Sequence, residues 1–270
     1  MPELPEVETT RRGIAPHVQG RVVARAVLRR PDLRWPIPSE IRRRFVGARI
    51  LGTERRAKYL LLHSDPGAAI IHLGMSGSLR VLDAEAPVRA HDHVDLVFDN
   101  GRLLRFNDPR RFGCLLWQAA GSTHPLLREL GPEPLGDAFD GDYLFARSRG
   151  RSAAIKALLM DQRIVVGVGN IYVAEALFAA GVRPTRAAGK VTRREYADIA
   201  AAIRRILAHA IERGGTTLRD FLKPDGEPGY FEQELFVYGR EGEACKHCGT
   251  LITVRRDAQR SSFYCRVCQR

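Results

Sequence analysis

HVDLVFDNGRLLRF (93–106) is the stretch that decides the fold. Apolar side chains recur at every second position on both sides of Asn100-Gly101, the strongest short signal for a two-residue hairpin turn. Short apolar runs lie upstream: YLLLH (59–63), AAIIHL (68–73) and SLRVL (78–82), with Gly74 and Gly77 between the last two. Downstream, GCLLW (113–117) supplies one more. Several short strands at this spacing predict an antiparallel β-sandwich. MPELPEVETTRRG (1–13) precedes them and reads as a helix start. Pro5 suits a first turn, Glu3, Glu6 and Glu8 sit where a helix dipole favours carboxylates, Val7 and Ile14 share a face, and Gly13 offers a stop. Pro2 has no part in that account.

Beyond the strands the composition changes. GPEPLGDAFDGD (131–142) is rich in Gly, Pro and Asp and reads as a linker. SAAIKALLM (152–160) and NIYVAEALFAAG (170–181) read as helices, the second with Asn170 as its N-cap and with Gly181 and Pro184 as stops. Thr192 and Glu195 form a capping-box pattern opening a long helix. Its buried face would carry Tyr196, Ile199, Ile203, Ile206 or Leu207, and Ala210, and Gly214-Gly215 would end it. The chain thus divides into a β-rich region at 1–131, a linker at 132–142, a helical region at 143–240 and a cysteine-bearing tail at 241–270.

The chain has 270 residues, enough for two domains with cores of their own. Lys and Arg number 43 against 31 Asp and Glu, a net charge of +12. An excess of that size, mostly arginine, fits a polyanion, because each neutralised phosphate releases condensed counterions. Charge alone does not separate DNA from RNA. No run of eighteen apolar residues and no secretory pattern is present, so a soluble cytoplasmic protein is expected.

Four of the five cysteines fall in CKHC (245–248) and CRVC (265–268), giving C-x2-C-x16-C-x2-C. That spacing lets four thiolates converge on one Zn²⁺, and four cysteines leave no open position for water or substrate. The ion is therefore structural, holding an arm with too little apolar area to fold alone. Arg255, Arg256 and Arg260 lie between the pairs, where they would project either to a phosphate or simply to solvent. Cys114 stands alone before an apolar run and reads as a small buried hydrophobe. VVGVGNIYVAEAL (165–177) places Gly167 and Gly169 before a helix, which serves equally as a tight helix entry or a phosphate cradle. Arg147, Arg149, Arg151 and Lys156 beside it favour phosphate.

PELPEVET, RRAKYLLL, HLGMSGSLR, HDHVDL, NDPRRFG, VVGVGNIY, GGTTLRDF and the terminal cysteine pattern with AQRSSFYC occur in that order. Together they closely resemble the bacterial formamidopyrimidine-DNA glycosylase family, enzymes that excise oxidised purines such as 8-oxoguanine. The resemblance spans essentially the whole chain. It implies an α+β fold: an N-terminal β-sandwich with flanking helices, then a helix–two-turns–helix domain with a C-terminal zinc finger.

It also implies chemistry. Met1 would be removed and the imino nitrogen of Pro2 would attack C1′ of the damaged nucleotide. Physical chemistry agrees: an α-amine has a reference pKa of about 7.7–8.0 against about 10.4 for lysine, so its neutral fraction at pH 7 is roughly 300-fold larger. The resulting iminium is an electron sink that permits strand cleavage by β,δ-elimination. Glu3 matches the catalytic glutamate that protonates the opening sugar, with Glu6 in support. Lys58 matches a lysine that contacts phosphate and donates a proton during elimination, and Arg260 the arginine linked to δ-elimination.

Met75, Arg110 and Phe112 match residues that fill the gap left by the flipped base. His91, Arg110, Arg151, Lys156 and Asn170 match DNA-contacting positions, and GTTLRDFLKPDGEPGYF (215–231) a loop that closes over the base. Ala90, where a lysine can occur, and the arginines around position 151 depart from the family pattern without touching this chemistry. The implied partner is double-stranded DNA carrying oxidised bases, bound by a monomer with no membrane contact. Two other readings remain at this point: the sister enzyme for oxidised pyrimidines, endonuclease VIII, and a DNA-binding module without catalysis.

Overall fold

The computed structural model describes residues 2–214, 235–257 and 260–270. The expected closing loop (215–231) and Met1 lie outside them. Among the described residues, chain packing separates two compact units, residues 1–128 with Arg213 and Gly214, and residues 129–212 with the cysteine-bearing part from 235 onward.

In the first unit, α1 (Leu4–Val18) precedes β1 (Val23–Leu28), a single turn of π-helix (Ile41–Phe45), and β2 (Gly52–Arg56) to β3 (Tyr59–Ser64). β4 (Gly67–His72), β5 (Ser78–Asp83), β6 (Asp92–Phe98), β7 (Arg102–Asn107), β8 (Cys114–Ala119) and the short α2 (Pro125–Arg128) complete it. The strands form two antiparallel sheets of four, ordered β1-β6-β7-β5 and β2-β3-β4-β8. The 93–106 hairpin is β6 and β7, with Val97 opposite Leu103 and Leu96 opposite Leu104. Gly101 takes φ +74°, and the Asn100 side chain accepts the Arg102 N–H at 3.2 Å. Both sheets face one core, in which Leu60, Leu62 and Ile71 meet Leu79, Leu96, Leu104 and Phe106. Fully burying such a side chain contributes about 1.5–3 kcal/mol.

Helix α1 seals this core with Val7, Ile14 and Val18. It continues past Gly13, the expected stop. Ile14 and Val18 are both 0% exposed, and that burial outweighs glycine's cost of about 1 kcal/mol in a helix. Pro16 falls in the last turn and the helix ends two residues later.

In the second unit, α3 (Gly141–Ser148) is capped by Asp140, whose side chain accepts the Tyr143 N–H at 2.7 Å. Then come α4 (Ile155–Leu159), α5 (Asn170–Ala179) and α6 (Arg193–Glu212). α4 is shorter than the 152–160 expected. The Thr192–Glu195 capping box is present: Glu195 accepts the Thr192 N–H at 2.8 Å and returns its own N–H to Thr192 Oγ1 at 3.3 Å. Tyr196, Ile199, Ile203, Leu207 and Ala210 form its buried face. α6 packs on α3 and α5. β9 (Thr253–Asp257) and β10 (Arg260–Tyr264) form an antiparallel hairpin between the cysteine pairs.

Candidate active site and zinc centre

Pro2 is buried immediately before α1. Glu3, in an extended conformation, is the N-cap and forms a reciprocal capping box with Glu6. The Glu6 carboxylate accepts the Glu3 N–H at 2.7 Å, and Glu3 and Glu6 are only 3% and 1% exposed. The residue following Pro2 is thereby fixed. One turn on, Glu8 accepts from Arg11 and Arg12 at 2.8 Å and lies 3.4 Å from Arg55 Nε on β2. Burial works to raise its carboxyl, but these guanidiniums hold it below the usual carboxylate range.

Lys58 sits in the tight turn between β2 and β3, beside Ala57 at φ +56°, and is 8% exposed. His72 was not singled out by its sequence. On β4 it stands directly opposite Tyr59 of β3, with ring centroids 5.0 Å apart, and its Nδ1 accepts the Gly74 N–H at 2.9 Å. Burial, with the charges of Lys58 and Arg34, holds its imidazole down to about 4. Cys114, paired with His72 on β8, is 1% exposed, and burial pushes its thiol up to about 12, as befits an inert core residue.

Met75, Arg110 and Phe112 lie on two adjacent connections, one following β4 and the other preceding β8. Met75 is 38% and Phe112 45% exposed, unusual for large apolar side chains, and the Arg110 guanidinium lies 4.8 Å over the Phe112 ring. His91 is exposed at φ +68°.

In the second unit, exposed Arg151 follows α3, and its carbonyl accepts the Gly189 N–H at 2.9 Å. Lys156, 7% exposed, donates to the Ser261 carbonyl at 2.6 Å and to Ser262 Oγ at 2.9 Å. Asn170 is not the N-cap of α5. Gly169 is, and Asn170 Nδ2 donates to the same Ser261 carbonyl at 3.2 Å. Both residues therefore seat the free edge of β10, next to exposed Arg260, whose guanidinium contacts Met160 Sδ at 3.7 Å.

The sulfurs of Cys245, Cys248, Cys265 and Cys268 lie within 4.8 Å of one another. Cys245–Cys268 at 3.9 Å and Cys248–Cys265 at 3.4 Å are near the edge of about 3.8 Å that Zn–S bonds of about 2.3 Å give a tetrahedron. Thr250 draws the Cys248 thiol down to about 6 through its hydrogen bonds, favouring the thiolate a metal requires. The donor set fits one structural zinc. Val237, Ile252 and Phe178 pack around Cys245 and Cys265.

Family models match along the chain: the formamidopyrimidine-DNA glycosylase N-terminal domain over residues 1–115, its H2TH domain over 130–222, and the zinc finger found in FPG and IleRS over 242–270. The chain belongs to the formamidopyrimidine-DNA glycosylase family. Formamidopyrimidine-DNA glycosylases of Stenotrophomonas maltophilia and Xanthomonas campestris are 66% and 63% identical to it, each over the full length of both chains. A solved MutM (Fpg) protein from Thermus thermophilus is 42% identical and superposes with a TM-score of 0.89 over 99% of this chain and 98% of its own. Lactococcus lactis Fpg, solved with DNA containing N7-benzyl-Fapy-dG, is 33% identical with a TM-score of 0.91 over 99% of each chain. Formamidopyrimidine-DNA glycosylases are bifunctional glycosylase and abasic-site lyases of base-excision repair, and removal of oxidised purines is the activity of this chain.

Proposed function

We propose that Pro2, freed by removal of Met1, is the nucleophile of that activity and that Glu3 is its proton donor. The observation that carries this reading is the capping box, which holds the first residues of the chain in place where a terminus ordinarily frays. The neutral imino nitrogen attacks C1′, the base leaves with a proton, and the sugar ring opens with a proton from Glu3. Collapse to an iminium acidifies C2′. Loss of that proton expels the 3′ phosphate, and a second elimination expels the 5′ phosphate. Lys58 supplies phosphate contact and proton transfer, and Arg260 assists the second elimination.

The partner is double-stranded DNA bearing an oxidised base. Met75 and Phe112 enter the vacated step, and Arg110 offers donors to the orphaned base. His91 and Arg151 contact the backbone, and Lys156 and Asn170 do so beside the β10 edge they seat. The protein acts as a cytoplasmic monomer away from membranes, and no helix among the described residues is long and apolar enough to cross one. Borohydride reduction on a duplex carrying 8-oxoguanine opposite cytosine should trap a covalent complex that maps by peptide mass to Pro2. Trapping at any other residue, or none with zinc-loaded folded protein, refutes the assignment. Preferential trapping on an oxidised pyrimidine would move the substrate to that class.

A further inference from the structure

Asp108 is wholly buried, yet among the described residues no cation pairs with it. Its Oδ1 accepts the Ser76 hydroxyl at 2.7 Å and its Oδ2 accepts the Gly113 N–H at 2.8 Å. Ser76 Oγ in turn accepts the Arg110 N–H at 3.1 Å. The Asp108 carbonyl takes the Arg111 N–H at 3.2 Å and meets His93 Nε2 at 2.9 Å. Each residue assigned to the gap is thus held at or beside a clamp contact: Met75 precedes Ser76, Arg110 donates to Ser76, and Phe112 precedes Gly113. The two connections also touch backbone to backbone, for a Cβ added at Gly74 would stand 2.4 Å from the Gly113 nitrogen.

A buried carboxylate is costly unless its lone pairs are used, and this one spends them on joining two loops. We propose that Asp108 and Ser76 are positioning residues that lock the 72–77 and 107–113 connections into one rigid wedge. Met75, Arg110 and Phe112 then enter the duplex as a pre-formed unit, and the ordering cost of two separate exposed loops is met on folding rather than on binding. The inference rests on the reading that these three side chains fill the gap.

Ser76→Ala removes the hydroxyl that links both loops. Single-turnover excision from a duplex carrying 8-oxoguanine opposite cytosine should slow about tenfold, the loss expected for one hydrogen bond to a charged group. Cleavage of a preformed abasic site in single-stranded DNA, which needs no wedge, should stay within about twofold. Asp108→Ala should slow duplex excision further. Asp108→Asn, which can turn its carbonyl to Gly113 and its amide to Ser76, should recover most of the rate. Met75→Ala is measured alongside. Parent-rate duplex excision by Ser76→Ala while Met75→Ala is slowed overturns the clamp alone. Parent-rate excision by both variants overturns the wedge reading and the clamp with it. Equal slowing of Ser76→Ala on duplex and single strand shows a general structural defect and also overturns it.

Discussion

Glu175 offers the sharpest test of how the cysteine-bearing arm is held. The residue lies on α5, is 5% exposed, and presents two oxygens to three consecutive backbone N–H groups. Oε2 accepts from Phe236 at 2.9 Å, and Oε1 accepts from Val237 at 3.0 Å and Tyr238 at 2.9 Å. These amides open the segment whose Val237 is 0% exposed and packs with Cys245, Ile252 and Cys265, and whose Phe236 stacks on Phe178 at 5.6 Å. Glu175→Gln keeps one carbonyl oxygen, enough for Val237 and Tyr238, but turns an NH2 toward the Phe236 N–H. One hydrogen bond to a charged acceptor is lost and two donors face each other, at a cost of about 1.5–3 kcal/mol. Glu175→Ala strips all three amides of their acceptor. The losses do not add fully because water reaches part of the segment, so a cost of about 3–5 kcal/mol is expected. Urea unfolding of the zinc-loaded protein gives the global loss, and amide exchange at 236–238 gives the local opening. Exchange at those amides should accelerate at least tenfold in Glu175→Gln, as ~1.4 kcal/mol requires. Unchanged exchange together with unchanged stability in Glu175→Gln would show that the carboxylate does not hold this segment.

Three further outcomes follow from other parts of the molecule. Gly74→Ala places a Cβ 2.4 Å from the Gly113 nitrogen at a backbone φ of +65°, so stability measured by urea should fall by about 2–4 kcal/mol, and a loss below ~0.5 kcal/mol would contradict the close approach. Zinc chelation should expose residues 235–270 to limited proteolysis while cuts within 1–128 stay rare, and general resistance without metal would show that the arm does not depend on the ion. His72 titrates at about 4 when folded against an ordinary 6.5, so the unfolded chain binds the extra proton between those values. This group's stability contribution is therefore whole above about pH 6.5 and declines as pH falls toward 4, by up to ~1.4 kcal/mol per pH unit. Urea midpoints at pH 7, 6 and 5 should show a shallower decline in His72→Gln than in the parent, and equal slopes would refute the assignment.

The β6–β7 hairpin was legible because alternation and Asn-Gly agree with each other and with the fold. β1 and β2 were not. Arg25 interrupts Val23–Leu28, and Gly52–Arg56 is polar, a strand only through its pairing with β3 and the Glu8–Arg55 contact. Gly13 misled for the same reason, since helix length was decided by the burial of Ile14 and Val18 against distant strands. Met75 and Phe112 stood out only through the family resemblance, because their exposure, unusual for large apolar side chains, is set by the fold and has no local signature. Lys156 read as part of a local basic cluster, yet its ammonium binds Ser261, 105 residues away. Asp108 and Ser76 carry no local signature, because what matters is that two connections separated by the three strands β5 to β7 return to one point.

The two ends of the chain meet the same physical difficulty by different means. A residue near a chain end has few neighbours and ordinarily frays. At the N-terminus the remedy is electrostatic and local: Glu6 holds Glu3, and the α1 face of Val7, Ile14 and Val18 anchors the helix carrying both. At the C-terminus a 29-residue finger match has too little apolar area for a core of its own. There four thiolates and one ion supply the missing constraint, while Lys156 and Asn170 satisfy the Ser261 carbonyl on β10. Neither remedy requires the chemistry to be carried by the fold's centre. The core of the first unit is therefore an ordinary sandwich, with exposed Met75 and Phe112 carried on the connections at its rim.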